Sequence, residues 1–197
     1  MKKIITLLLL PLSLTAFSQE REATILFNDS TSIKGFAEIK KEKIYFRVDL
    51  TSIITEWSYD MAYGLIFTGY GFSEKYIYIK PSKNSKKKIV VEVIEEGDVS
   101  LYKKTSFTAE VIPHKVSDPA FLSGKATIKD YDSSNYYVKR KNEEYAIDIP
   151  SIGFKMVSEK YFSDCDMLVQ KIKKREFKKE DILEIVYYYN DYCGNEN

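Results

Sequence analysis

Residues 89–104 read IVVEVIEEGDVSLYKK, and no other stretch limits the fold as tightly. Ile89, Val90, Val91, Val93 and Ile94 make one β-branched run, and Val99, Leu101 and Tyr102 open a second. Such side chains are stiff at χ1 and pack well on a pleated surface. Between the runs, Glu95-Glu96-Gly97-Asp98 supplies a glycine for the positive φ that a short hairpin loop needs. A hairpin this rich in β-formers belongs in the interior of a sheet, flanked by more polar and basic strands.

The chain around it reads as short strands separated by polar turns. Residues 24–27 make the first, closed by Asn28-Asp29-Ser30. Ile33, Gly35, Ala37 and Ile39 alternate with Lys34, Phe36, Glu38 and Lys40, the period of two of a strand with one small or apolar face. Lys41-Glu42-Lys43 turns the chain, and Ile44, Phe46 and Val48 continue the alternation. Residues 53–59, 63–68 and 76–80 are further candidates. Residues 81–88 (PSKNSKKK) hold no aromatic side chain and read as a solvated tip that protects a sheet edge, rather than as an anion site. Residues 105–123 are the least regular part and contain the only histidine, His114, beside Pro113. A strand resumes at residues 125–129. Asp130-Tyr131-Asp132-Ser133-Ser134-Asn135 reads as a turn, and residues 136–140 and 144–149 form a second hairpin about Lys141-Asn142-Glu143.

At Pro150 the apolar period changes from two to 3.6. Ser151 is a candidate cap for a helix to about residue 162, with Phe154, Val157 and Tyr161 on one face. Ser163-Asp164-Cys165-Asp166 fits a capping box for the next helix, whose apolar stripe is Cys165, Leu168, Val169 and Ile172. In the last helix Ile182, Ile185, Val186, Tyr189 and Cys193 share a face. Two helices joined by a short linker run antiparallel, so the start of one lies beside the end of the other. Cys165 and Cys193 occupy those ends, and their thiols are expected to meet as a disulfide.

Residues 1–18 have the form of an export signal: Lys2 and Lys3, an apolar run over residues 4–17 broken by Pro11, and a small-x-small junction at Ala16-Phe17-Ser18. The run is short for a membrane span and the charged residues after it do not lengthen it, so cleavage near Ser18/Gln19 leaves no transmembrane segment. Cleavage removes Lys2 and Lys3 from 30 basic residues and nothing from 29 acidic ones, so the mature chain is close to neutral. A neutral chain has no global attraction to nucleic acid, and no nucleic-acid partner is expected. An exported protein with two cysteines favours their bridging.

The residues present exclude most catalytic sets. A serine or cysteine nucleophile needs a base, and the one histidine stands in an irregular, proline-flanked segment without a G-x-S-x-G turn. Two bridged cysteines and one histidine cannot build a tetrahedral zinc site. Asp130, Asp132 and Ser134 lack the glycine and the final glutamate of a calcium loop. No phosphate-binding glycine motif occurs, and no cofactor is implied. Paired carboxylates stay open, because the fold rather than sequence spacing brings them together. Glu92, Glu95, Glu96 and Asp98 lie in or beside a turn and read as solvated.

Three stretches carry a resemblance to exported, uncharacterised proteins of the Bacteroidota. They are VIEEGDVSLYKK at residues 93–104, Tyr137-Val138-Lys139-Arg140 with Glu143 or Glu144, and the tail YFSDCDMLVQKIKKREFKKEDILEIVYYYNDYC with its two cysteines. The first third, with Gly35, Ile39, Ile44 and Phe46, is similar to small Sm-like or SH3-like β domains. The resemblance implies an α+β build and an envelope or extracellular location, and no reaction, ligand or catalytic residue.

The expected organisation is α+β. A signal occupies residues 1–18, an antiparallel meander or small barrel-like β domain residues 19–149, and a helical segment with an αα-hairpin residues 150–197. The expected role is that of a non-catalytic interaction or structural module in the periplasm or at the outer-membrane face, its partner an envelope protein. A small-ligand or glycan binder is the alternative, with Tyr76, Tyr78, Tyr136 and Tyr137 lining a groove, since tyrosine offers both a packing face and a hydroxyl. An acid–base enzyme with two carboxylates is the weakest reading.

Overall fold

The computed structural model describes residues 20–69, 71–112 and 127–194, with backbone alone at residues 106–112 and 127–133. The expected export signal and His114 lie outside these residues. The strands are β1 (Arg21–Phe27), β2 (Ser32–Lys40), β3 (Lys43–Arg47), β4 (Thr55–Trp57), β5 (Ala62–Gly69), β6 (Phe72–Ile79), β7 (Ile89–Glu95), β8 (Val99–Ile112), β9 (Thr127–Arg140) and β10 (Ile147–Ile149). They form one antiparallel sheet in the order β10-β9-β8-β7-β6-β5-β1-β2-β3-β4. Helices α1 (Phe154–Tyr161), α2 (Asp166–Lys173) and α3 (Ile182–Tyr192) come after the sheet, so the fold is α+β.

The sheet curls twice, in opposite senses. The rings of Phe27 on β1 and Trp57 on β4 lie 5.3 Å apart, whereas a flat sheet would hold those strands about 14 Å apart. The Tyr78 hydroxyl of β6 accepts from the Ile44 amide at 3.2 Å and donates to the Trp57 carbonyl at 2.7 Å. This curl wraps Ile25, Leu65, Phe67 and Tyr78 into one core and is the barrel-like part expected of the N-terminal strands. The second curl brings β10 back towards β6, where the Ala146 amide donates to the Lys80 carbonyl at 2.8 Å. It encloses Ile77, Ile79, Val91, Tyr102 and Tyr137. Neighbours in a strand point to opposite faces, so β6 gives Tyr78 to one core and Ile77 to the other.

The helices cover the face of β8–β10 that the second curl leaves outside. Val99, Leu101, Val138 and Ile149 pack there against Phe162, Leu168, Ile172, Ile185 and Val186, all fully buried. Arg140 fastens the layers together. Its guanidinium donates to the Tyr161 carbonyl at 2.8 Å and to Asp164 at 2.7 Å, and lies 4.6 Å from the Tyr161 ring centroid. Glu143 accepts from the Arg140 amide and the Tyr161 hydroxyl. The YVKR stretch with Glu143 is therefore a clasp between β9 and the helices. Cys165 and Cys193 stand at disulfide distance, with Cα atoms 5.8 Å apart, at the open end of the helix pair as expected.

Several local expectations are corrected. Asp130–Asn135 is not a turn: β9 runs straight through it, paired with β8 from Val99↔Arg140 to Ile112↔Thr127. The backbone there is extended rather than looped. Likewise residues 105–112 belong to β8. The Ser151 cap is replaced by Gly153 at φ 87°, a left-handed residue that turns the chain from β10 into α1. The capping box at Ser163 is not formed: α2 starts from Cys165 without a side-chain cap, so Asp166 is the first helical residue and not the third, where it would reach back. Asp164 is held instead by Arg140 and by the Tyr189 hydroxyl at 2.6 Å. Gly97 does not adopt a positive φ; among the described glycines Gly71 and Gly153 do. Gly97 is bare for another reason: a Cβ there would overlap the Asn190 side chain of α3.

Candidate functional site

One row of side chains crosses seven strands on the face that carries both the first curl and the helices. It reads Ile25, Leu65, Tyr76, Glu92, Lys103, Tyr136 and Ile149, each directly opposite the next. Its ends are apolar and buried in the two cores on that face. Its middle, Glu92 and Lys103, is charged and lies in the gap between them. Nothing in strand packing requires a carboxylate there, and a valine would suit the pleat better.

Above this gap is a groove of about 730 Å³. Phe67, Tyr76, Val90 and Glu92 form its floor, Lys103, Lys104 and Thr105 one wall, and the β2–β3 turn its rim. Arg21 enters from β1, donating to Glu74 at 2.7 Å with its guanidinium 4.4 Å from the Phe67 centroid. Tyr76 meets Phe67 edge-on at 5.6 Å. Across the rim, Lys104 pairs with Glu42.

The electrostatics stem from partial burial. Desolvation pushes the Tyr76 phenol up to about 12, and the negative charges of Glu92 and Glu74 add to the shift. Tyr76 thus stays a hydrogen-bond donor at any physiological pH. Desolvation also raises Glu92 above the ordinary carboxylate value, against the opposing pull of Lys103. The rim has its own cost. Lys41 and Glu42 both take positive φ, 49° and 63°, between the paired Lys40 and Lys43. That is a two-residue turn of the kind that prefers Asn-Gly. Keeping long charged residues there costs on the order of 1 kcal/mol each.

The four tyrosines do not line one surface. Tyr76 is in the groove. Tyr78 is buried in the first curl, with its hydroxyl used by Ile44 and Trp57. Tyr136 packs under the helices and Tyr137 faces the opposite core. Cys165 and Cys193 are remote from the groove in the helical layer. Glu92 was legible only as one acid among several near a turn; the strand register, which no local pattern shows, is what makes it the floor. Among the described residues no group of three or more His, Cys, Asp or Glu side chains stands ready to hold a metal ion, and no helix is long and apolar enough to cross a membrane.

Comparison of the chain with family models, curated proteins and solved structures found no match.

Proposed function

We propose that the chain is an exported, non-catalytic binding module of the cell envelope and that the groove over Glu92 and Lys103 is its contact site. The observation that carries this is the charged middle of an otherwise apolar cross-strand row. A desolvated glutamate works against the fold, and local costs of that kind collect at functional sites. The strained Lys41-Glu42 turn, on the rim of the same groove, is a second such cost. Export is supported by the signal-like residues 1–18, by the cysteine pair and by the resemblance to exported Bacteroidota proteins.

The test is affinity capture of the tagged mature protein from its native envelope after mild crosslinking, beside a Glu92→Val/Lys103→Ala variant. A stoichiometric protein partner captured by the wild type and lost by the variant supports the reading. Equal capture by both overturns the groove as the contact site.

A second reading is a small-ligand or glycan site, favoured by the groove's size and by Tyr76 and Phe67 standing among charged hydrogen-bonding groups. Co-purifying sugar or lipid without a protein partner would select it. Glu74 and Glu92 both act on the Tyr76 hydroxyl, so an acid–base role on that ligand is checked by turnover of the same sugar with Glu92→Gln.

A further inference from the structure

The ladder between β7 and β8 stops at Glu92↔Lys103, yet both strands continue. β7 extends back to Ile89, still paired with β6 through Ile79↔Ile89. β8 extends on to Ile112, still paired with β9. The sheet therefore forks. Two interior strands, each hydrogen-bonded on its far side, turn facing edges towards a gap that no other strand of the described residues fills. Val90 and Val91 line the groove from one side of this fork, and Lys103, Lys104 and Thr105 line it from the other. The groove is the mouth of the fork.

Open edges in the middle of a sheet are unusual, since unpaired N–H and C=O groups template the addition of a strand. β4 and β10, the two outer strands, are three residues each and offer little edge. Among the described residues the long free edges are those of the β8–β9 ribbon, β8 beyond Lys103 and β9 before Tyr136, nine residues or about 30 Å each. Only the β8 edge opens on the groove.

Resting on the groove reading above, we propose that the occupant is an extended, acidic segment of a partner polypeptide, added as a strand in the fork between β7 and β8. Main-chain hydrogen bonds to the edges supply affinity, and alternate side chains reach into the groove for selectivity. The acidic preference comes from the lining. The lining sets five basic residues, Arg21, Lys40, Lys41, Lys103 and Lys104, against three acids, Glu38, Glu42 and Glu92, and Glu92 is the carboxylate whose charge burial disfavours. A basic segment would meet lysine on the fork's β8 side. A proline in register would remove a donor the edge needs.

Phage-displayed random dodecapeptides, panned on the mature full chain, give the probe; the selected peptide is then synthesised. The expected result is enrichment of proline-poor, acidic sequences that bind about tenfold more weakly to Lys103→Glu and to Lys104→Glu. In hydrogen exchange the bound peptide is expected to protect the amides of residues 89–91 and 104–105. Selected peptides that lose binding to those variants but bind equally well with an N-methylated backbone overturn strand addition and leave the groove reading standing. Peptides indifferent to both variants, with protection elsewhere, overturn both. No enrichment at all, beside intact capture of an envelope partner, overturns the peptide class alone.

Discussion

Asn190 holds both main-chain groups of Val99. Its Nδ2 donates to the Val99 carbonyl and its Oδ1 accepts from the Val99 amide, each at 2.9 Å. One side chain of α3 thus does for the first residue of β8 what a neighbouring strand would do. Gly97 lies under the same amide, in the space a Cβ would need. The hairpin turn and the last helix are fitted to each other at this one point.

Gly97→Ala should therefore destabilise by about 1–3 kcal/mol through overpacking. Asn190→Ala should cost about 1–3 kcal/mol by leaving the Val99 groups unpaired in a buried position. The two should not add: once the amide is gone the alanine has room, and the double variant should fall short of the sum by about 1 kcal/mol. Urea unfolding of the four proteins measures the difference.

At the groove rim the expectation is a gain. Lys41→Asn/Glu42→Gly places permissive residues at the two positive φ positions and should stabilise by about 1–2 kcal/mol. Thermal melting beside the wild type reads the gain; the two changes replace one lining cation and one lining acid by neutral residues, so the net charge of the groove stays as it was. A variant no more stable than the wild type would remove the argument from strain.

The pH dependence of Glu92 has a defined sign. Its folded-state value is raised above the ordinary 4.5, so the folded protein holds this proton more tightly than the unfolded chain does. Stability linked to Glu92 is then fully present below about 4.5 and declines as pH rises through the raised value. Glu92→Gln should match the wild type at low pH and exceed it at neutral pH. Denaturant midpoints at pH 4 and pH 7 provide the check.

The cysteine pair and the helices it joins predict a larger effect. Reduction, or Cys165→Ser/Cys193→Ser, opens a loop of 28 residues and should cost about 3–4 kcal/mol in the chain-entropy model. Intact mass with and without reductant confirms the bond. Deleting residues 150–197 uncovers Val99, Leu101, Val138 and Ile149. The truncated protein should melt well below the full mature chain or fail to stay soluble.

Periodicity was enough to place the helices and the hairpin of β7 and β8, which depend on neighbours a few residues apart, and two antiparallel helices on a short linker then bring Cys165 to Cys193 across 28 residues. It failed where a distant strand overrides local chemistry. Asp130–Asn135 has the composition of a turn but is held extended by an uninterrupted ladder to β8. Gly97 has the composition of a hairpin loop, but the constraint on it comes from Asn190, 93 positions away. The tyrosines were grouped by type, and alternation then sent Tyr136 and Tyr137 to opposite faces. The groove itself is a product of register: Tyr76, Glu92 and Lys103 share a row only because two separate ladders align them.

β6 works as a party wall between two rooms. Tyr76 and Tyr78 furnish one, and Ile77 and Ile79 the other. Shifting that strand by a single residue would exchange the contents of both rooms at once. One inserted residue within β6 therefore strikes two cores at once, whereas the same insertion in the basic connection after Pro81 strikes neither. Among the described residues β6 is a seam through which both cores are built, and β7 beside it repeats the arrangement with Val90 on one side and Val91 on the other.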